Sequence, residues 1–149
     1  RTGLGTDNSV AIVASELVDG AEFGIGTGTN VISNTSEDDL TTVYGKYTSG
    51  AFTIGVQLSE TDKTAANSDV DREAAAISFA VNENLSISYG MSTVKYEAST
   101  KTDAESTGVS ASYTMGGMTL GAVANKTDSF GGTSGTDKEF TEVSLSFAF

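Results

Sequence analysis

The chain has 149 residues, a formal net charge of -12, and no Cys, His, Pro or Trp. Without Cys there is no disulfide framework and no thiolate chemistry, and without His a serine hydrolase has no imidazole base. Eight Lys and Arg against 20 Asp and Glu leave few cations to neutralise phosphates, which disfavours nucleic acid as a partner. Residues 1–8 are polar and Gly-rich and read as loop. A strand is predicted over about Ser9 to Leu17, with its faces ambiguous between Val10, Ile12 and Ala14 on one side and Ala11, Val13 and Leu17 on the other. Asp19-Gly20 is a hairpin signal, because both residue types tolerate positive φ. The return strand, about Ala21 to Asn30, sets Phe23 and Ile25 against Gly24, Gly26 and Gly28. A polar acidic loop is expected over residues 33–39.

The same unit then recurs. A strand from about Leu40 to Thr48 reaches a turn at Ser49-Gly50, and the return strand to Glu60 sets Phe52, Ile54, Val56 and Leu58 against Thr53, Gly55, Gln57 and Ser59. After a loop over about 61–70, a strand from Arg72 to Val81 sets Ala75, Ile77 and Phe79 against Ala74, Ala76 and Ser78. Asn82-Glu83-Asn84 turns the chain, and Leu85, Ile87, Tyr89 and Met91 then alternate with Ser86, Ser88, Gly90 and Ser92. Beyond a loop at about 97–104, Val109, Ala111, Tyr113 and Met115 alternate with Ser110, Ser112 and Thr114. Gly116-Gly117 turns the chain into a strand of weaker alternation, Met118 to Thr127. A loop over residues 128–137 precedes a final strand, 138–149, with Val143, Leu145, Phe147 and Phe149 on one face and Glu142, Ser144, Ser146 and Ala148 on the other. Strict period-two alternation of this kind marks strands with one apolar face.

Spacing carries more than any one strand. Short turns near residues 20, 50, 83 and 117 alternate with longer polar connections, and most of the acidic residues lie in or beside the latter. Each repeat holds two strands of about ten residues, the ~9–11 that a tilted strand needs to cross a bilayer. Short turns at one rim and long loops at the other are the pattern of bacterial transmembrane barrels. A soluble sandwich also turns every 8–12 residues but has no reason to segregate connection lengths. No run approaches the ~18 apolar residues of a transmembrane helix, and no apolar signal-peptide core follows Arg1-Thr2-Gly3, so an exported protein is expected here in mature or truncated form.

The ending resembles the closing strand of a Gram-negative outer-membrane β-barrel, where a terminal Phe belongs to the assembly signal. Phe147 and Phe149 are the residues that carry it here. A barrel of ~8 strands is just wide enough to be filled by its inward side chains. The inward set here is mostly Ser, Ala, Gly and Thr, which leaves such a barrel hollow and suits a wider, water-filled one. With acidic loops and this final strand, the chain resembles the C-terminal half of a general diffusion porin of alphaproteobacterial type. The fold expected is all-β, an antiparallel transmembrane β-barrel domain over residues 1–149. It has about nine strands in this chain and forms the C-terminal part of a ~16-stranded barrel.

The resemblance implies an outer-membrane channel for passive diffusion of small hydrophilic solutes and ions. It further implies a homotrimer, lipid around the barrel, and delivery by the barrel-assembly machinery through the last strand. Neither cofactor nor metal nor enzymatic step is expected. Pore-lining candidates are Lys46, Gln57, Ser78, Ser88, Ser110, Ser112, Glu142 and Ser144. Lys46 and Arg72 are the cations expected on or near the wall, and an acidic mouth predicts mild cation preference. Two other readings stand beside this one. They are a closed eight-stranded barrel with a structural or adhesive role, and a soluble or fibrous extracellular β-protein that buries Phe52, Ile54 and Val56 against a second sheet.

Other motifs read more simply. Gly24-Ile25-Gly26-Thr27-Gly28 superficially matches a dinucleotide loop, but the glycines alternate within a strand and no helix follows. Asp69-Val70-Asp71-Arg72-Glu73 could offer carboxylates to a divalent cation, yet reads first as a solvated loop. Tyr47, Tyr89, Tyr113, Phe147 and Phe149 read as interface girdles before a binding stripe.

Overall fold

Alternation of large apolar with small polar residues, broken at glycine and asparagine turns, drives the chain into one antiparallel sheet. The computed structural model describes residues 6–15, 18–33 and 36–148. Nine strands follow one another without a crossover: β1 (Thr6–Ser15), β2 (Ala21–Ser33), β3 (Ser36–Ser49), β4 (Phe52–Lys63), β5 (Val70–Ala80), β6 (Leu85–Tyr96), β7 (Ala104–Met115), β8 (Met118–Asp128) and β9 (Lys138–Phe147). A short 3-10 turn, Phe130–Gly132, interrupts the last long connection. Among the described residues each strand pairs only with its sequence neighbours, so β1 and β9 are the sheet's edges.

Local chemistry fixes the turns. Gly20, Gly50 and Gly116 adopt positive φ at three of the short connections. At Gly20 the need is doubled, because a Cβ there would sit 2.1 Å from the Thr48 carbonyl oxygen. At the fourth, the Asn82 side-chain oxygen accepts from the Asn84 and Leu85 amides, each at 2.9 Å, a side-chain substitute for a backbone turn.

The register sorts side chains as the alternation predicts. One continuous row runs Phe52, Phe79, Ile87, Ala111, Ala122, Val143 across β4 to β9. The next row on the opposite face runs Thr53, Ser78, Ser88, Ser110, Val123, Glu142. The ambiguity in β1 is resolved. Ile12 pairs with Ile25 on the apolar face, while Ala11 and Val13 pair with Gly26 and Gly24 on the polar one. Leu17 lies outside the described residues.

Three differences from expectation share one cause. Strand pairing outlasts the apolar alternation, because backbone hydrogen bonds continue wherever two strands stay adjacent. β1 already begins at Thr6, inside the stretch read as loop. Residues 36–39 are strand rather than loop, with Val31 opposite Glu37 and Asn30 opposite Asp38. β4 and β5 likewise extend into the predicted loop, to Lys63 and back to Val70.

The sheet has almost no core of its own. Among the described residues the buried apolar ones are Ala21, Val70 and Ala104, while Phe52, Ile54, Val56 and Leu58 remain 51–59% exposed along one face of β4. Burying such a side chain is worth roughly 1.5–3 kcal/mol. The apolar face therefore needs a non-aqueous neighbour, and no second sheet covers it among the described residues.

Candidate functional site

The polar face lines a broad open hollow of about 730 Å³ spanning β3 to β8. Tyr44, Lys46, Gln57, Ser88, Ser110 and Asn125 stand around it. Residues are small here for a physical reason: cross-strand partners are hydroxyls that bond one another. Thr42 donates to Ser59 at 2.9 Å, and oxygen–oxygen pairs close at 2.7 Å for Ser88–Ser110, 2.8 Å for Ser106–Thr127 and 3.1 Å for Thr114–Thr119. These pairs tie neighbouring strands while keeping the surface hydrated and low in profile.

Two of the larger groups lie over glycines. The Tyr44 ring rests on Gly24, where a Cβ would be 2.1 Å from the ring. Its hydroxyl donates to Glu22 at 3.0 Å, and Lys46 pairs with the other Glu22 oxygen at 3.2 Å. Asn125 lies over Gly108 in the same way, with its side-chain oxygen 2.2 Å from where a Cβ would stand.

Every pore-lining candidate falls on this face by register. Lys46 stands opposite Gly55, Gln57 opposite Ala74, Ser78 opposite Ser88, Ser110 opposite Val123, Ser112 opposite Gly121, and Glu142 opposite Val123 on its other side. Ser144 pairs with Gly121. Arg72 joins them, between Ser59 and Val94. Tyr44 and Glu22 were missed in the sequence, although Glu22 at the polar-face period beside Lys46 carried a readable signal.

The opposite face is banded. Tyr47, Phe52, Phe79, Tyr113 and Phe147 gather toward the short-turn end, where the Phe52 and Phe79 rings stack at 4.5 Å. Tyr89 stands further along, in register with Ile77 and Val109. Phe149 lies outside the described residues. Toward the long-loop end the apolar band stops at charge on six consecutive strands: Glu60, Glu73, Lys95, Glu105, Lys126 and Glu139. Lys95 bonds Glu73 at 2.6 Å, and Lys126 bonds Asp128 at 2.8 Å.

The acidic run near residue 70 is thereby split. Asp71 and Glu73 fall on the apolar-face register and Arg72 on the other, and no group of three acidic side chains among the described residues is placed to hold a metal. At the polar side of the loop end, two connections interlock. Lys101 donates to the Gly131 carbonyl at 2.6 Å, the Thr102 amide donates to Gly132, and the Lys101 ammonium sits 4.8 Å from the Tyr96 ring centre.

Comparison with known proteins gives one positive result. The sequence model of the family described as Gram-negative porin matches residues 3–149. No curated protein and no solved structure matches the chain.

Proposed function

The chain belongs to the Gram-negative porin family, an outer-membrane β-barrel family, and from that premise we propose that its polar face is the wall of a water-filled channel for passive diffusion of small hydrophilic solutes and ions. The observation that carries the reading is the division of one sheet into two faces. One holds Ser, Thr, Gly and Ala around an open hollow, and the other holds Phe, Ile, Val and Leu with nothing to cover them among the described residues, a face suited to lipid. Transport by this route needs no catalytic residue and no cofactor. Lys46, Gln57, Ser78, Ser88, Ser110, Ser112, Glu142 and Ser144 are the wall positions a solute passes.

Width and closure follow from the same sheet. An inward face this small leaves an eight-stranded barrel hollow, whereas it suits ~16–18 strands around water. β1 and β9 run in the same direction, since successive strands are antiparallel and both have odd numbers. Joining them directly makes a parallel seam. An antiparallel barrel therefore needs an odd number of strands from outside these nine, and seven would complete the expected ~16. Three such barrels pack as a homotrimer through part of the apolar face. β9, with Phe147 outward, is the strand the assembly machinery engages.

Liposome swelling tests the channel. Vesicles containing the protein from its native membrane are expected to admit small sugars and to exclude large ones, and vesicles that stay impermeable to both would overturn the reading. The mass of the fully denatured polypeptide tests closure: a value well above 15.3 kDa is expected if the extra strands are covalently continuous with these.

A further inference from the structure

A wall of Ser, Thr, Ala and Gly offers a passing solute hydrogen bonds and little else. Tyr44 interrupts it, and we propose that its ring is a stacking platform for uncharged pyranose sugars, with the Glu22–Lys46 pair bonding their hydroxyls. The inference rests on the channel reading above and adds a weak binding site to it.

The ring lies over Gly24, where an added Cβ would be 2.1 Å from Cε1 and 2.6 Å from Cζ. Tyr44 is half-buried, and what Gly24 leaves uncovered opens on the hollow. On its other side Gly24 stands opposite Val13, which is 57% exposed, and Gly26 stands opposite Ala11. Ring, valine and glycine backbone thus form an apolar patch on the wall, beside hydroxyls such as those of Thr42 and Ser59. A polar rim borders the patch. The Tyr44 hydroxyl donates to one Glu22 oxygen at 3.0 Å and Lys46 to the other at 3.2 Å. Both groups keep bonding capacity, since an ammonium carries several hydrogens and each carboxylate oxygen more than one lone pair. No other ring on this face is placed in this way among the described residues. Tyr96 is covered by Lys101 and Gly132, and Phe140 stands opposite Asn125 rather than a glycine.

A pyranose has the complementary surface. The C–H bonds on one side of the sugar ring are weakly positive and meet the negative face of an aromatic ring. The hydroxyls at its edge both donate and accept, as the rim requires. Glu22 and Lys46 neutralise one another, so the pair holds hydroxyls without selecting an ion. The platform covers only one side of the sugar, and the outer hydroxyls stay in the water of the hollow. Binding is therefore weak, as a site on a conducting path must be if the solute is to leave.

Block of KCl conductance in planar bilayers tests this, with the protein extracted from outer membranes in its native assembly. Methyl β-glucopyranoside is compared with mannitol, an acyclic polyol of similar size and similar effect on bulk conductivity. The pyranoside is expected to half-block at a concentration about three- to tenfold lower, the size of one aromatic contact. Y44F, which keeps the ring, is expected to retain that preference, and Y44L to lose it. Saturation transfer from aromatic protein protons to the pyranoside, in a detergent without sugar headgroups, reads the contact on the wild type itself. It is expected to be strongest at the ring protons of one sugar face. Equal half-block by the two polyols, a preference that survives in Y44L, or even saturation over the whole sugar would overturn the proposal. A wild type that conducts nothing in these bilayers would overturn the channel reading itself, and this inference with it.

Discussion

Glycine on a pleated sheet weakens it unless something takes the place of the missing side chain. Three glycines here are covered by a cross-strand neighbour: Gly24 by Tyr44, Gly108 by Asn125, and Gly45 by Phe23, whose ring would be 3.3 Å from an added Cβ. The glycine stripe of β2 was legible in the sequence as a small face, but its reason was not. Tyr44 and Gly24 meet only because the β2–β3 register places them opposite one another, and register depends on the whole hairpin. Gly24→Val should therefore displace the Tyr44 ring and break its bond to Glu22. A destabilisation of about 1–3 kcal/mol is expected, the range for an overpacked site, read as a lower urea midpoint for unfolding from lipid vesicles. Tyr44→Phe keeps the ring and loses one hydrogen bond, about 0.5–1.5 kcal/mol. A Tyr44→Phe protein less stable than Gly24→Val would mean that the ring's seat on glycine is not what holds this corner.

At the scale of the strand, alternation made the fold readable and misled about where it stops. Phe52, Ile54, Val56 and Leu58 announced β4, yet the period of two runs on through Glu60-Thr61-Asp62. The same holds for Asp71-Arg72-Glu73 at the start of β5. Charge at strand ends looks like loop, because a list of residues does not say where the bilayer ends. The register shows that these acids keep to the apolar-face period, which in the proposed barrel puts them at the headgroup level. Position on a strand should then decide the cost of a charge. Val56→Lys, at the middle of the apolar band of β4, is expected to cost about 2–4 kcal/mol of folding stability in vesicles. Gln57→Lys, on the wall, is expected to cost less than 1 kcal/mol, like most solvated surface substitutions away from special features. Equal losses for the two would remove the distinction between the faces.

For the molecule as a whole, the described residues form nine strands with two free edges and almost no buried apolar side chain, a sheet that cannot be stable alone in water. Within the sheet a continuous ladder of backbone bonds joins the strands; in the proposed channel, lipid on one side and closure through β1 and β9 supply the rest. The all-β class and the strand count were legible in the sequence, because they repeat at a fixed spacing; the longer connections fall where expected after β4, β6 and β8, whereas the one expected after β2 shrinks to the two residues between Ser33 and Ser36. The interlocked mouth at Lys101 and Gly131 was not legible, since it joins two loops 30 residues apart that share no pattern. In the proposed channel Ser86, Ser88 and Gly90 of β6 face water in the lumen, while Ile87, Tyr89 and Met91 face lipid or a neighbouring protomer. With no native Cys in the chain, single cysteines at these six positions can be challenged with a charged, membrane-impermeant thiol reagent in intact outer membranes. Labelling and partial block of conductance are expected at 86, 88 and 90, and neither at 87, 89 and 91. Labelling at all six, or at the odd positions only, would contradict the proposed channel.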